Sequence, residues 1–205
     1  MHPKYKNEDG NDIAVIRVRT RAPLPKPFAK LATHRAVLPV GAVATAVGFG
    51  RNNNYLGQLE SGEWLAFSPP RLYQVDLNVS APGVAPCPKF SKRPEICKKG
   101  GDSANCVPIV DKKEVCVVGD WFYGNSLNTD YGVGLKSACS GDSGGPLYYG
   151  GVQYGIAESV LDKTLCETFF LDPYTVYTLV SGHRKKFIDP IVARNPYKKP
   201  RKKFN

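Results

Sequence analysis

The stretch SACSGDSGGPLYYG, residues 137 to 150, decides how the rest of the chain is read. Within it, GDSGGP fixes six consecutive residues from Gly141 to Pro146. At ordinary residue usage such a tract arises by chance in a chain of this length with a probability of about 10⁻⁵. Ser143 stands at its centre. A serine hydroxyl is a poor nucleophile until a neighbouring imidazole takes its proton, and a buried carboxylate must hold that imidazole in the right tautomer. Glycines around such a serine let the backbone come close to whatever the hydroxyl attacks.

The bulk composition sets the frame. With 205 residues, 42% hydrophobic and 22% charged, the chain suffices for one or two compact domains burying roughly 70% of their unfolded surface. Seventeen prolines, twenty glycines and 11% aromatic residues, spread among short apolar runs, point to a β-rich fold with frequent turns. The longest apolar tract, AVLPVGAVATAVGFG (36 to 50), is too short for a membrane span and is broken by Pro39 and glycines, so no transmembrane segment is expected. Cys87, Cys97, Cys106, Cys116, Cys139 and Cys166 form an even set without paired CxxC spacing, which argues against a metal site and for disulfides in an oxidising compartment over free buried thiols. No cofactor motif is read. The opening MHPKYKNEDG has no apolar segment to serve as a signal peptide, so an export-type cysteine set without an export signal suggests an upstream portion not included. Of the net charge of +10, residues 184 to 205 carry +8, from nine Lys or Arg against one Asp.

Along the chain, DIAVIRV (12 to 18) is expected to be a short strand, followed by the proline-rich connector RAPLPKPF. The runs AVLP, ATAVGFG, RLYQVDLNVS, EVCVVGD, GPLYYGGVQYGIAES and YTVYTLV read as strands separated by turns. CPKFSKRPEICKKGGDSANC (87 to 106) reads as a long surface excursion. Only SGHRKKFIDPIVARN (181 to 195) has helical spacing, with Phe187, Ile188, Ile191 and Val192 on one side and Pro190 as an interruption.

With these segments in view, the chain resembles the trypsin and chymotrypsin family of serine proteases. GDSGGP matches the family's nucleophile loop, and DIAVIRV its DIAL-type strand carrying the triad aspartate, here Asp12. VGFG (47 to 50) is similar to its SGWG turn, YGIAES (154 to 159) to its GIVSWG strand, and YTVYT (174 to 178) to its GVYT strand. The resemblance implies an all-β, antiparallel Greek-key barrel fold. The second barrel would be complete, the first only a remnant, and a helix would close the chain. The expected divisions are 1–37 for the remnant and connector, 38–194 for the second barrel with its helix, and 195–205 for a basic tail. The implied activity is serine endopeptidase chemistry on protein or peptide substrates. Ser143 would be the nucleophile and Asp12 the orienting carboxylate. The N–H groups of Gly141 and Ser143 would form an oxyanion hole, each donor worth roughly 3 to 4 kcal/mol. A secreted location follows from the family and the cysteines.

The base is the gap in this pattern. The resemblance places a histidine roughly 45 residues before the aspartate, whereas 11 residues precede Asp12. His2 falls in the place of the family's non-catalytic HP loop, His34 in a polar turn and His183 at the start of the basic helix, and all three are expected on the surface. In the family, a new N-terminus freed by cleavage also pairs with the carboxylate before the nucleophile, here Asp142. Without that partner Asp142 is expected to be solvated or satisfied by local backbone N–H groups. The chain as given is therefore expected to be inactive. An alternative is a non-catalytic homologue acting as a secreted binding module. A further alternative takes Ser143, Asp172 and His183 in the chain order of α/β-hydrolases, but the serine there needs a strand before it and a helix after it, and here a tyrosine-rich strand follows.

The remaining implications are carried over residue by residue. The pocket floor aligns with Ser137, not an acid, which disfavours Lys or Arg side chains. The walls align with Val160 and Thr175, bulkier than glycine, as in elastase-like pockets for small apolar side chains. Glu158 and Ser159 replace the family's Ser and Trp, so a carboxylate stands out of pattern. The implied disulfides are Cys139–Cys166, Cys87–Cys116 and, by remainder, Cys97–Cys106. Asn78-Val79-Ser80 is a glycosylation sequon. The tail NPYKKPRKKFN suits a heparin-like polyanion or anionic surface, or is a solvated terminus; it carries no motif for specific nucleic acid.

Overall fold

Apolar residues alternating with polar ones, or continuous where both faces are covered, become strands that close on one another. A computed structural model of the chain describes residues 1–5, 11–18, 26–58, 64–67, 70–81, 113–119, 121–123, 133–135, 137–160 and 174–194. Its strands are β1 (Lys30–Leu31), β2 (Val43–Gly48), β3 (Asn52–Gln58), β4 (Trp64–Phe67), β5 (Tyr73–Ser80), β6 (Glu114–Gly119), β7 (Trp121–Tyr123), β8 (Val133–Leu135), β9 (Pro146–Tyr149), β10 (Val152–Val160) and β11 (Tyr174–Leu179). Then come α1 (Val180–His183), a π-helical turn (Arg184–Ile188) and α2 (Asp189–Arg194).

Strands β2, β5, β6, β11, β10 and β9 pair in that order, every pairing is antiparallel, and β9 pairs with β2 to close a six-stranded barrel. This is the antiparallel barrel that the resemblance implies. Closure removes the open sheet edges that invite association. β1 adds a short parallel pairing to β10 at Val152 and Gln153. The inward residues are Ala44 and Ala46 from β2, Leu77 and Val79 from β5, Val115 and Val117 from β6, Leu147 from β9, Ala157 from β10, and Tyr177 and Leu179 from β11. Ala44 on β2 is the register partner of Leu77 and shares the cluster with Tyr177, so large and small side chains fill one interior.

β6 and β11 are covered on both faces. Cys116, Tyr174 and Val176 form a second cluster on the side away from the barrel interior. Neither Cys116 nor Cys139 is a free thiol. Asn78 lies on β5, half-buried, on the side opposite Leu77 and Val79.

Three expectations change. AVLP is not a strand, since residues 36 to 39 take no ladder partner. DIAVIRV is not a strand either: in residues 12 to 18 no ladder forms, and the backbone bond His2 N to Ile13 O (2.8 Å) holds the segment instead. Ile13 packs beside Val180, Phe187 and Ile188, with Val15, Ile156 and Ile191 around them, while Ile16 and Val18 remain exposed. The helical stretch is present, but Val192 is exposed instead of sharing the apolar side. Proline lacks the N–H an inner helical turn requires. Here Pro190 follows a wider π turn, closed by the Asp189 N–H donating to Arg184 O, and so sits in the first turn of α2, where its missing donor costs little.

No helix among the described residues is long and apolar enough to cross a membrane. The excursion 87–106 and the tail 195–205 lie outside the described residues.

Candidate active site

The loop between Ser137 and Gly145 is folded by its own backbone. Asp142 N donates to Cys139 O at 3.0 Å and Gly145 N to Asp142 O at 2.8 Å. Gly144 N donates to Ala157 O, and Ala157 N returns to Gly145 O, both at 2.8 Å, so β10 grips the loop from behind. Arg51 N donates to Ser140 O at 2.8 Å and ties the loop to the turn after β2. Donors 142, 144 and 145 are thereby engaged, whereas the N–H groups of Gly141 and Ser143 donate to no described acceptor. Gly141 has φ +99. Ser143 is exposed, and its hydroxyl has no hydrogen-bond partner among the described residues. The arrangement leaves an exposed hydroxyl with two unengaged backbone donors in one tight loop, the parts needed to stabilise a developing oxyanion.

Asp142 faces inward from the same loop. Gly50 N donates to its Oδ1 at 2.7 Å, and Cys139 N donates to its Oδ2 at 3.0 Å. One of these donors, Cys139, is local, and the other comes from the turn after β2. The VGFG turn must be glycine-rich for a steric reason: a Cβ on Gly48 would lie 1.8 Å from Asp142 Oδ1, and one on Gly50 would lie 2.2 Å from Oδ2. The negative charge of Asp142, together with burial, raises the titration of the neighbouring Tyr177 phenol above its ordinary value, burial being the larger cause.

Two histidines depart from expectation. His183 is only 3% exposed, and His2 is half-buried. Their rings meet edge to face at 5.2 Å, and His2 also packs edge to face on Phe187 at 4.6 Å. The apolar face of the helix draws them in, because an imidazole packs as an aromatic ring as readily as it faces water. His34 is exposed as expected. No hydrogen bond among the described residues joins Ser143 or Asp12 to an imidazole.

Asp12 follows Asn11, which is buried and held by Lys113 Nζ donating to its Oδ1 at 3.0 Å. The Asp12 carboxyl is raised by burial, and its charge is felt by Glu158. Glu158 occupies a β-bulge: β10 pairs Ala157 with Tyr177 and Ser159 with Val176, leaving Glu158 as the extra residue. Thr178 Oγ1 donates to Glu158 Oε2 at 2.5 Å. Glu114, directly opposite Thr178 on β6, is 2% exposed, and its negative charge acts on Glu158. Burial first, then the charges of Glu114 and Asp12, push Glu158 up to about 8, against the lowering effect of Thr178. The sequence marked Glu158 as out of pattern but missed Glu114 and Thr178. A lone acid opening the apolar run EVCVVG was the available signal.

Of the pocket residues, Val160 and Thr175 are brought together as direct cross-strand partners. Thr175 is 1% exposed, and Ser137 is half-buried. Among the described residues, no group of three or more His, Cys, Asp or Glu could hold a metal ion.

A closed antiparallel barrel followed by a C-terminal helix, with an exposed serine on a glycine-rich loop, has the architecture of a trypsin-like fold. The family model described as Trypsin matches residues 100–186. The chain is similar to brachyurin of Leptuca pugilator, with 29% identity over 179 residues, covering 87% of this chain and 61% of that protein. It thus spans 61% of the length of that relative. Its fold is similar to the solved structure of neuropsin, a serine protease expressed in the limbic system of mouse brain. There the TM-score is 0.53 at 20% identity, covering 93% of this chain and 68% of the other. These comparisons make the chain similar to the trypsin-like serine proteases, with a fold of that type.

Proposed function

We propose that the function of this barrel is serine-type endopeptidase chemistry on protein or peptide chains, with Ser143 as nucleophile and the Gly141 and Ser143 N–H groups as the oxyanion hole. Asp12 is the carboxylate that orients a base, and Asp142 is the carboxylate that fixes the loop. The observation that carries this reading is the pattern of donors in the loop, engaged at 142, 144 and 145 and without an acceptor among the described residues at 141 and 143. Ser137 beneath the pocket and the Val160–Thr175 pair beside it suit small apolar side chains, because no buried acid would meet Lys or Arg. The disulfides Cys139–Cys166, Cys87–Cys116 and Cys97–Cys106, a secreted location, glycan attachment at Asn78 and polyanion binding by the basic segment belong to the same reading.

The Ser143 hydroxyl, which has no partner among the described residues, favours a second reading for the 205-residue chain by itself: a non-catalytic homologue that binds without cutting. A serine without a base keeps its proton and does not attack. A fluorophosphonate probe, which reacts with activated serines, separates the two. The purified chain should remain unlabelled alone and become labelled when excess imidazole supplies the base, with Ser143→Ala abolishing the signal. Labelling without imidazole overturns the inactivity of the isolated chain. No labelling with imidazole overturns the catalytic reading and leaves the binding module.

A further inference from the structure

Exposed apolar side chains are not spread evenly over the barrel. Five of the twelve large apolar side chains that the described residues leave exposed, Phe28, Leu31, Val37, Val40 and Val43, fall between residues 28 and 43. β1 pairs with β10 at Val152 and Gln153, beside the turn into which the exposed Tyr149 leads. The pairs Thr45 with Tyr148 and Ala46 with Leu147 set the start of β2, at Val43, against the end of β9. Gly50, past the other end of β2, instead lies on Asp142 beside Ser143. The apolar residues thus gather at the end of the barrel away from Ser143.

Other residues of the same segment fix it there. Ala32 is buried and its N–H donates to Gln153 O at 2.9 Å. Arg184 Nη1 donates to Leu31 O and Ala32 O, both at 3.3 Å. Leu38 enters the barrel core, and Gly41 N donates to Val79 O while Val79 N donates to Ala42 O, both at 2.8 Å. A strap pinned at these points keeps its apolar side chains in water. The strap also carries the exposed cations Lys26, Lys30 and Arg35, and residues 13 to 59 contain no Asp or Glu. The exposed acids on neighbouring elements are engaged: Asp76 accepts from Thr45 Oγ1 and Asp189 from Arg184 Nε, each at 2.7 Å.

We propose that this rim docks on an anionic lipid bilayer, its apolar side chains entering the headgroup layer while Lys26, Lys30 and Arg35 meet the acidic headgroups. A soluble polyanion would meet the cations but leave the apolar side chains in water, and a second copy of the chain would set like charges against each other. A bilayer surface answers both halves of the patch at once. Tyrosine, an apolar ring with a polar tip, suits such a boundary. The docking holds whether or not Ser143 is a nucleophile, because that loop lies at the other end of the barrel.

The test is co-sedimentation of the full chain with vesicles of phosphatidylcholine alone and of phosphatidylcholine with about 30 mol% phosphatidylserine. Binding should require the anionic lipid. Lys30→Gln and Arg35→Gln should each weaken it about five-fold, and Phe28→Ser combined with Val40→Ser about ten-fold or more. Phe28 and Val40 are 60% and 69% exposed, so the double variant should keep the thermal midpoint of wild type. No binding to anionic vesicles overturns the proposal, and so does binding that neither set of variants changes, which assigns the contact to basic residues elsewhere. Weakening confined to the charge variants makes the contact purely electrostatic and overturns it as well. Without vesicle binding, retention on heparin that Lys30→Gln and Arg35→Gln abolish gives the rim to a soluble polyanion, and a dimer that Phe28→Ser with Val40→Ser dissociates gives it to a second copy; either result overturns the bilayer.

Discussion

Asp142 and Glu158 both carry a carboxyl group into the body of the barrel, and the surroundings accommodate them in opposite ways. Asp142 meets two backbone N–H groups, from Gly50 and Cys139, at 2.7 and 3.0 Å. Glu158 meets one hydroxyl and feels the charges of two further acids. Backbone donors are fixed by the fold and favour a charge without a counter-ion, whereas an acid beside acids must hold a proton or repel its neighbours. The first seat depends on glycine at positions 48 and 50, where any Cβ would meet the carboxylate. The second depends on pH.

The comparison can be broken most forcefully at the Asp142 seat. Gly50→Ala sets a Cβ 2.2 Å from Asp142 Oδ2, and because that oxygen is tethered it cannot move aside; stability measured by urea unfolding should drop by about 2–3 kcal/mol. Asp142→Asn turns one acceptor into a donor facing an N–H, and should cost about 1–3 kcal/mol in the same measurement. At the other seat, Thr178→Val removes the hydroxyl that lowers Glu158. It should cost about 1 kcal/mol. Because a carboxyl held above its ordinary value binds its proton more tightly folded than unfolded, its stabilising contribution is lost as pH rises through the folded value, and Thr178→Val should move that loss to higher pH. A third carboxylate serves as the baseline: Asp189 accepts from Arg184 Nε at 2.7 Å with the two side chains 27% and 47% exposed. Arg184→Ala should cost about 0.5–1 kcal/mol, and added salt should shrink that difference. A Gly50→Ala effect smaller than that of Arg184→Ala would reverse the ranking of backbone and side-chain seats.

The two seats also differed in how far the sequence revealed them. The Asp142 seat joins two short motifs, the loop with its Cys139 donor and the VGFG turn whose Gly50 lies 92 residues away, and each motif is legible as a string. The barrel was legible for the same reason, since RLYQVDLNVS, EVCVVGD and YTVYTLV keep their apolar pattern whatever they pair with. The Glu158 seat arises from register, with Glu114 opposite Thr178 and a bulge at Glu158, and register is set by contacts between distant strands. His183 was misplaced because the helix that buries it docks on Ile13, more than a hundred residues away in the chain. DIAVIRV has the composition of a strand, but a strand is a relation between neighbours and here no neighbour aligns with it.

The cluster of Ile13, Val180, Phe187 and Ile188 shares no residue with the barrel interior. The amino-terminal segment and the closing helix thus form a small cooperative unit of their own, able to open without melting the barrel. Their amide protons should exchange with solvent together, and ahead of those in β5 and β6. Whatever loosens one end of the polypeptide will be felt at the other before the middle takes notice.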